Sequence, residues 1–424
     1  MPIQFPKGFL WGTATSAHQV EGGNTLNNWW RWEESGRVKN REISGDACDH
    51  FNLFDQDFAL SESLHLNAHR FSIEWSRVEP EEGEFSESTI YHYRQVLESL
   101  HRHKQTPMAT LMHFTLPKWA QEKGGWENEK ILVWFERYAR KCAASFGDLV
   151  PLWNTLNEPM VYFFESFVMG NWPPGKKDWV KHVSVVRNQI KAHGLAYEAI
   201  HDEKNKNHWS TQVGIAVYFR VIQPWNPDSP LDRLSASMRN YAFNQMFLNA
   251  INAGVIGFPA AWNEKVPNLK GAWDFIGLNY YSREKVKFNV TKPALMFSEE
   301  IHDPGVERNS LGWEVYPEGI YIALKSLARF KRPVYITENG ICALNDEQRQ
   351  KFIFNHLREA SRAIQEGVDV RGYFHWSLLD NFEWAHGYTP RFGLVEVDYA
   401  SQKRTPRESA RLYSEIARTN ALPL

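Results

Sequence analysis

Eight short runs rich in β-branched and aromatic residues recur along the chain. They lie at 9–15 (FLWGTAT), 68–75 (AHRFSIEW), 106–114 (TPMATLMHF), 150–157 (VPLWNTLN), 212–219 (QVGIAVYF), 273–281 (WDFIGLNYY), 333–338 (PVYITE) and 370–378 (VRGYFHWSL). Short apolar runs of this kind suit strands covered on both faces. Between them lie longer segments whose apolar positions recur at three- and four-residue spacing: 88–104, 128–147, 183–204, 231–254, 346–367 and a last one at 406–419. That period predicts helices with one buried face. Ser88 is the expected N-cap of the first, Gly147 the expected end of the second, and Pro406 the expected opening residue of the last. Eight strands alternating with helices predict an α/β protein, a (β/α)8 TIM barrel occupying residues 1–424 as one domain. A doubly wound open sheet would share the alternation but needs a glycine-rich phosphate turn after its first strand. The stretch GTATSAHQVEGG is neither GxGxxG nor a Walker loop.

Composition narrows the function. The formal net charge is −2 and no basic stripe is visible, so nucleic acid is not an expected partner. No run of eighteen apolar residues occurs and the N-terminus lacks a signal-peptide core, so no membrane association is expected. The three cysteines (Cys48, Cys142, Cys342) are far apart and form no CxxC pair. A reducing, cytoplasmic setting is therefore expected, with Cys342 a small core residue. Aromatic residues make up 14% of the chain, with 18 tryptophans. Most should be core, although flat rings also serve as platforms for the C–H faces of sugars.

Barrel enzymes place their chemistry at the C-terminal ends of the strands. Those ends carry Gln19 after the first strand, Arg70 on the second and His113 at the third. Asn157 and Glu158 end the fourth, Asn279 and Tyr281 the sixth, Glu338 and Asn339 the seventh. Trp376 lies on the eighth, with Glu383 and Trp384 just beyond. Metal-dependent hydrolysis would need clustered histidines near the first strand, yet the only His-x-His, His101 and His103, lies in a helix tail. No G-x-S-x-G elbow occurs, so nucleophilic serine chemistry has no support. No metal or other cofactor is expected. Glu158 and Glu338 stand three strands apart on an eight-membered ring and can lean into one pocket. Paired carboxylates are the equipment of glycoside hydrolysis. Pro159 restricts the backbone of Glu158, for which an extended conformation is expected.

The stretches FLWGTATSAHQVEGG, RFSIEWSRVEP, TLNEP, GLNYY, GWEVYPEG, YITENG and WSLLDNFEWAHGYTPRFGL occur in this order from about residue 5 to 410. In these the chain resembles family 1 glycoside hydrolases, the β-glucosidase/β-galactosidase group. The resemblance implies a retaining, exo-acting β-glycosidase without metal, acting on a small-molecule β-glycoside or oligosaccharide. It implies that Glu158 is the acid/base and Glu338 the nucleophile. Gln19, His113, Asn157, Glu383 and Trp384 match positions that hydrogen-bond the nonreducing sugar. Trp376 matches the platform beneath it, Phe392 a wall of the same subsite, and Trp313 a wall of the leaving-group side. Tyr281 and Arg70 match residues that hold the nucleophile, and Asn279 lines the pocket.

Glu383 also distinguishes branches of the family. The branch acting on 6-phosphoglycosides carries a serine there. A carboxylate about 4 Å from a phosphate oxygen would cost roughly 4 kcal/mol per charge pair at an effective dielectric near 20. Thioglucosidases replace the acid with glutamine, and non-catalytic relatives lose one or both glutamates; Glu158 and Glu338 are both present. The chain departs from the family's usual pattern at Met160 and His375, and in short loops after Asn171 and between Tyr281 and Trp313. These put the leaving-group preference in question. Gln19 and Glu383 tolerate either epimer at the hydroxyl that separates glucose from galactose, so mixed specificity is expected.

Overall fold

The computed structural model describes residues 2–423. Eight parallel strands close into a barrel: β1 (Leu10–Ala14), β2 (Ala68–Ser72), β3 (Thr106–Met112), β4 (Leu152–Asn157), β5 (Gln212–Tyr218), β6 (Phe275–Asn279), β7 (Val334–Asn339) and β8 (Val370–Trp376), with β8 pairing back onto β1. The barrel expected from the alternation is the fold observed. Its strands end short of several expected bounds, at Ser72, Met112, Asn279 and Trp376.

The outer ring consists of α1 (His50–Ser63), α2 (Glu87–Arg102), α3 (Ile131–Phe146), α4 (Ser184–Asn207), α5 (Met246–Ala253), α6 (Glu318–Leu327), α7 (Asp346–Gln365) and α8 (Glu408–Thr419). Helical spacing explains their faces: α2 buries Ile90, Tyr93, Val96, Leu97 and Leu100 against the barrel. The periodic segment 231–254 is not one helix. It runs as Pro230–Asn240, a wide turn over Tyr241–Gln245, and then α5. Two expected boundaries are corrected. The cap of α2 is Ser86, whose hydroxyl accepts from the Thr89 N–H at 3.3 Å; Ser88 already lies inside the helix. Pro406 closes the short strand Lys403–Pro406, and α8 begins two residues later.

Most of the core lies between barrel and helices. Trp11, Trp29, Trp75, Trp126, Trp153 and Trp273 are fully buried there, which accounts for much of the aromatic content. A smaller core fills the barrel itself, where Met108, Leu152, Phe275, Tyr335 and Phe374 pack together and plug the floor beneath the rim. The strand register slips at the rim, between Asn154 and Asn157 on β4, between Leu278 and Asn279 on β6, and between Ile336 and Asn339 on β7. Such bulges re-aim side chains, and here they fall on the strands that carry the two glutamates and the asparagine between them. Above β5 and β6 stands a three-stranded sheet of Val221–Pro224, Arg283–Phe288 and Ser298–Ile301. Among the described residues no helix is long and apolar enough to cross a membrane.

Candidate active site

A cavity of about 920 Å³ opens at the C-terminal face, lined by Glu158, Glu338, Glu383, His113, Tyr281, Trp313, Trp376, Trp384 and Phe392 among others. These nine residues come from the ends of five strands, β3, β4, β6, β7 and β8, and the loops that follow them. Four further expected site residues, Gln19, Arg70, Asn157 and Asn279, lie directly behind them, each at most 1% exposed.

Glu158 does not take the extended backbone expected before a proline. Its φ and ψ are 45° and 56°, the left-handed region, which costs roughly 1–2 kcal/mol for a non-glycine residue. The proline argument excludes the right-handed helical region but leaves this one open. The Glu158 N–H donates to the Ala216 carbonyl at 2.8 Å, and Pro159 then opens a short helix, Pro159–Phe163, at its first position. The bulge and this single turn together aim Asn157 and Glu158 inward, although they are neighbours in sequence.

The two carboxylates are held differently. Glu338 Oε1 accepts from the Arg70 guanidinium, and its Oε2 accepts from the Tyr281 hydroxyl at 2.6 Å. Arg70 is itself fixed, donating through Nη2 to Asn157 Oδ1 at 2.6 Å and through Nε to Thr110 Oγ1 at 3.2 Å. Glu158 has no cation in hydrogen-bond contact. Its Oε1 accepts from Asn279 Nδ2 at 2.7 Å, and Asn279 is oriented by Thr337, whose hydroxyl donates to its Oδ1 at 2.7 Å. Asn279 Nδ2 also donates to Asn157 Oδ1 at 3.1 Å, which ties the amide that holds Glu158 to the asparagine that holds Arg70.

Protonation follows from this asymmetry. Burial, and then the charge of Glu338, push Glu158 well above the usual carboxylate range. Burial also raises Glu338, outweighing Arg70, but there Arg70 and Tyr281 both contact the carboxylate, whereas Glu158 has Asn279 in contact and Arg70 acting only at a distance. A proton shared by the pair therefore resides on Glu158. Burial and Glu338 push Glu383 up to about 8, against a weak contact from Gln19 Nε2 at 3.3 Å. Burial and Arg70 push His113 well below its usual value, leaving a neutral ring. With Asn157 Nδ2 facing its Nε2 at 3.2 Å, the ring proton belongs on Nδ1, which is buried without a protein partner.

Gln19 and Asn157 were expected to touch sugar, and Asn279 to line the pocket. Here Gln19 donates to Asn381 Oδ1 and the Phe382 carbonyl, both at 2.9 Å, and so sets the loop that carries Glu383. Asn157 serves Arg70 and His113. Asn339 is turned away from the cavity, its Nδ2 donating to the Tyr280 carbonyl at 2.6 Å. Met160 packs against the core, and Val161 and Phe164 line the cavity in its place.

Two elements escaped the sequence reading. Gly340 follows the Glu338 strand, and a Cβ there would sit 1.8 Å from the Trp376 carbonyl oxygen; only glycine lets the two strands close beneath the aromatic platform. His18 stacks on Trp384 at 5.7 Å and is locked by Glu33 at 2.7 Å and Asn27 at 3.0 Å. The glycine of YITENG was readable as a tight spot, whereas nothing near His18 in sequence signals Glu33. Among the described residues no three His, Cys, Asp or Glu side chains are grouped to hold a metal ion.

A closed barrel presenting two unlike, buried carboxylates at the ends of its fourth and seventh strands is the frame of a carboxylate-pair hydrolase. The family model described as glycosyl hydrolase family 1 matches residues 1–422. Beta-glucosidase A of Thermotoga maritima is 36% identical over 450 residues, spanning 99% of each chain. A beta-glycosidase from Pyrococcus horikoshii, 43% identical, superposes with a TM-score of 0.93 over 100% of this chain and 97% of that one. A family 1 β-glucosidase from Thermotoga maritima in complex with isofagomine lactam, 34% identical, also gives 0.93, over 100% of both. The chain belongs to glycosyl hydrolase family 1 and is an O-glycosyl hydrolase.

Proposed function

We propose that the protein is an exo-acting β-glucosidase that also accepts β-galactosides and β-fucosides, working by double displacement with Glu338 as nucleophile and Glu158 as acid/base. The observation that carries this reading is the unequal support of the two acids: Glu338 is held by a guanidinium and a phenol, Glu158 by an amide alone.

In the first step a Glu338 carboxylate oxygen bonds to the anomeric carbon as the bond from that carbon to the glycosidic oxygen breaks. Glu158 gives its proton to the departing oxygen. Forming the ester removes the charge of Glu338, and with it one cause of Glu158's raised pKa, so Glu158 can act as a base. In the second step it takes a proton from water, whose oxygen bonds to the anomeric carbon and releases Glu338. Two inversions retain the β configuration. Trp376 supplies the platform for the sugar, and Glu383 and His113 supply partners for its hydroxyls. Glu383 offers a dianionic phosphate no positive charge, and repels it once ionised above about pH 8, which favours unphosphorylated substrates. The same reading treats the chain as a single catalytic domain. A cytoplasmic location accords with three free, buried cysteines.

A panel of 4-nitrophenyl β-glucoside, β-galactoside and β-fucoside, plain and 6-phosphorylated, tests this reading when the first-released anomer is followed by proton NMR. The β-anomer should appear first, from plain glycosides. Initial α-anomer would overturn retention, and turnover confined to phosphorylated sugars would overturn the substrate class.

A further inference from the structure

The cavity continues well beyond the carboxylate pair, and its outer wall contains charged residues that the chemistry above does not use. Arg220 lies in the two-residue link between β5 and the strand Val221–Pro224, and it lines the same cavity as Glu158. A chain of aromatic rings leads out to it. Tyr281, which holds Glu338, lies 5.8 Å from the ring of Tyr218, and the Arg220 guanidinium lies 5.1 Å from that ring and 5.4 Å from Phe243. Its backbone is clamped as well: its N–H donates to Asn244 Oδ1 at 3.0 Å, and its carbonyl accepts from Asn244 Nδ2 at 2.7 Å.

Arg220 is thus held in place while its donors remain poorly used. Nε reaches the Tyr218 hydroxyl at 3.4 Å, and Nη1 reaches Glu284 Oε2 only at 3.5 Å, against roughly 2.7–2.9 Å for a good guanidinium–carboxylate bond. Glu284, itself buried, is engaged by Arg239 Nη2 at 2.5 Å, and Arg239 is anchored by donating to Ser298 Oγ at 2.8 Å. The three-stranded sheet therefore holds Glu284 against Arg239 and leaves the planar fork of Arg220 facing the cavity with unspent N–H groups. Glu165 and Glu300 line the same region, so an anionic ligand would meet like charge. A neutral ligand rich in hydroxyl oxygens meets none.

We propose that Arg220 is a specificity-determining residue of the leaving-group side, donating hydrogen bonds to the hydroxyls of a second sugar. The site is built for β-linked di- and oligosaccharides rather than for flat aryl glycosides. This rests on the reading of Glu158 as the acid at the inner end of the cavity.

The test compares kcat/KM for a β-1,4-linked glucose disaccharide and for 4-nitrophenyl β-glucoside in the unaltered protein, Arg220→Met and Arg220→Lys. The ratio of disaccharide to aryl turnover should fall about tenfold to a hundredfold in Arg220→Met, the loss of one or two charge-assisted hydrogen bonds. Arg220→Lys, which keeps the charge but not the fork, should recover part of it. Turnover of the aryl glucoside reports that each variant is folded. A ratio unchanged within about twofold would overturn the proposal. So would a greater loss on a 4-carboxyphenyl glucoside than on the disaccharide, which would assign an anionic leaving group to the site. Failure of the unaltered protein to hydrolyse either glycoside would instead overturn the reading of the carboxylate pair, and this proposal with it.

Discussion

Replacing Tyr281 by phenylalanine removes one hydroxyl from the site and leaves its ring in place. That hydroxyl donates to Glu338 Oε2 at 2.6 Å in a buried setting. A hydrogen bond to an ionised carboxylate contributes about 1.5–3 kcal/mol, and one pKa unit corresponds to about 1.36 kcal/mol. The pKa governing Glu338 should therefore rise by about 1–2 units. The nucleophile must be ionised to attack, so activity falls as pH drops through this value, and raising it moves the fall to higher pH. Glu158 loses no hydrogen bond in the variant. The bell-shaped profile of kcat/KM for 4-nitrophenyl β-glucoside, which reports the apparent pKa values of the pair in the free enzyme, should narrow from its acid side with the basic limb in place. An acid limb that stays within about 0.3 units of its original position, with activity lowered evenly across the profile, would refute the electrostatic role given to Tyr281.

Three further outcomes are expected. Glu158→Gln should lose about 10²–10⁴ in rate on glycosides with poor leaving groups and far less on dinitrophenyl glycosides; added azide should restore turnover and yield the β-glycosyl azide, and no rescue would remove Glu158 from the acid/base role. Glu383, raised to about 8 in the folded protein, contributes stability that is present below its unfolded pKa of about 4.3 and is lost as pH rises through 8. Thermal unfolding of the ligand-free protein should therefore show Glu383→Gln gaining on the original by roughly 2 kcal/mol between pH 5 and pH 9, after allowance for screening in the open pocket; a pH-independent difference would contradict this. Gly340→Ala should destabilise the protein by at least about 1–3 kcal/mol and raise KM by displacing Trp376, as read by thermal unfolding and steady-state kinetics; unchanged values for both would contradict the close approach of Gly340 to Trp376.

The strands were legible because a barrel strand is covered on both faces and reads as a dense apolar run. Helices α2, α3 and α7 were legible because one face of each is apolar. Helix α1 was not: its buried residues are His50, Asp57, Phe58 and Ser61, a polar face tied by His50 to Asp57 at 2.8 Å and by Arg404 to the same carboxylate at 2.9 Å. A face that packs through ion pairs leaves no hydrophobic period. At the site, the identities of the residues could be read from motifs at the strand ends, but their division into lining and supporting groups could not. Asn157 and Asn279 sit at register slips of the rim, which have no signature in these stretches. Gln19 sits on a short helix after the first strand, Ala17–Val20, tied to the loop at Asn381 and Phe382. The left-handed turn at Glu158 escaped for a related reason: the residue after it excludes one backbone region without choosing between the remaining two.

The claim on which the rest depends is that Glu338 forms a covalent bond to the sugar while Glu158 serves the leaving group. Incubation with 2,4-dinitrophenyl 2-deoxy-2-fluoro-β-D-glucoside, followed by proteolysis and peptide mass spectrometry, measures this directly, since the fluorine slows hydrolysis of the intermediate more than its formation. One fluoroglucosyl group esterified to Glu338, with activity lost in proportion, is the expected result. An unlabelled protein that still turns over substrate, or a label on Glu158 or Glu383, would contradict it.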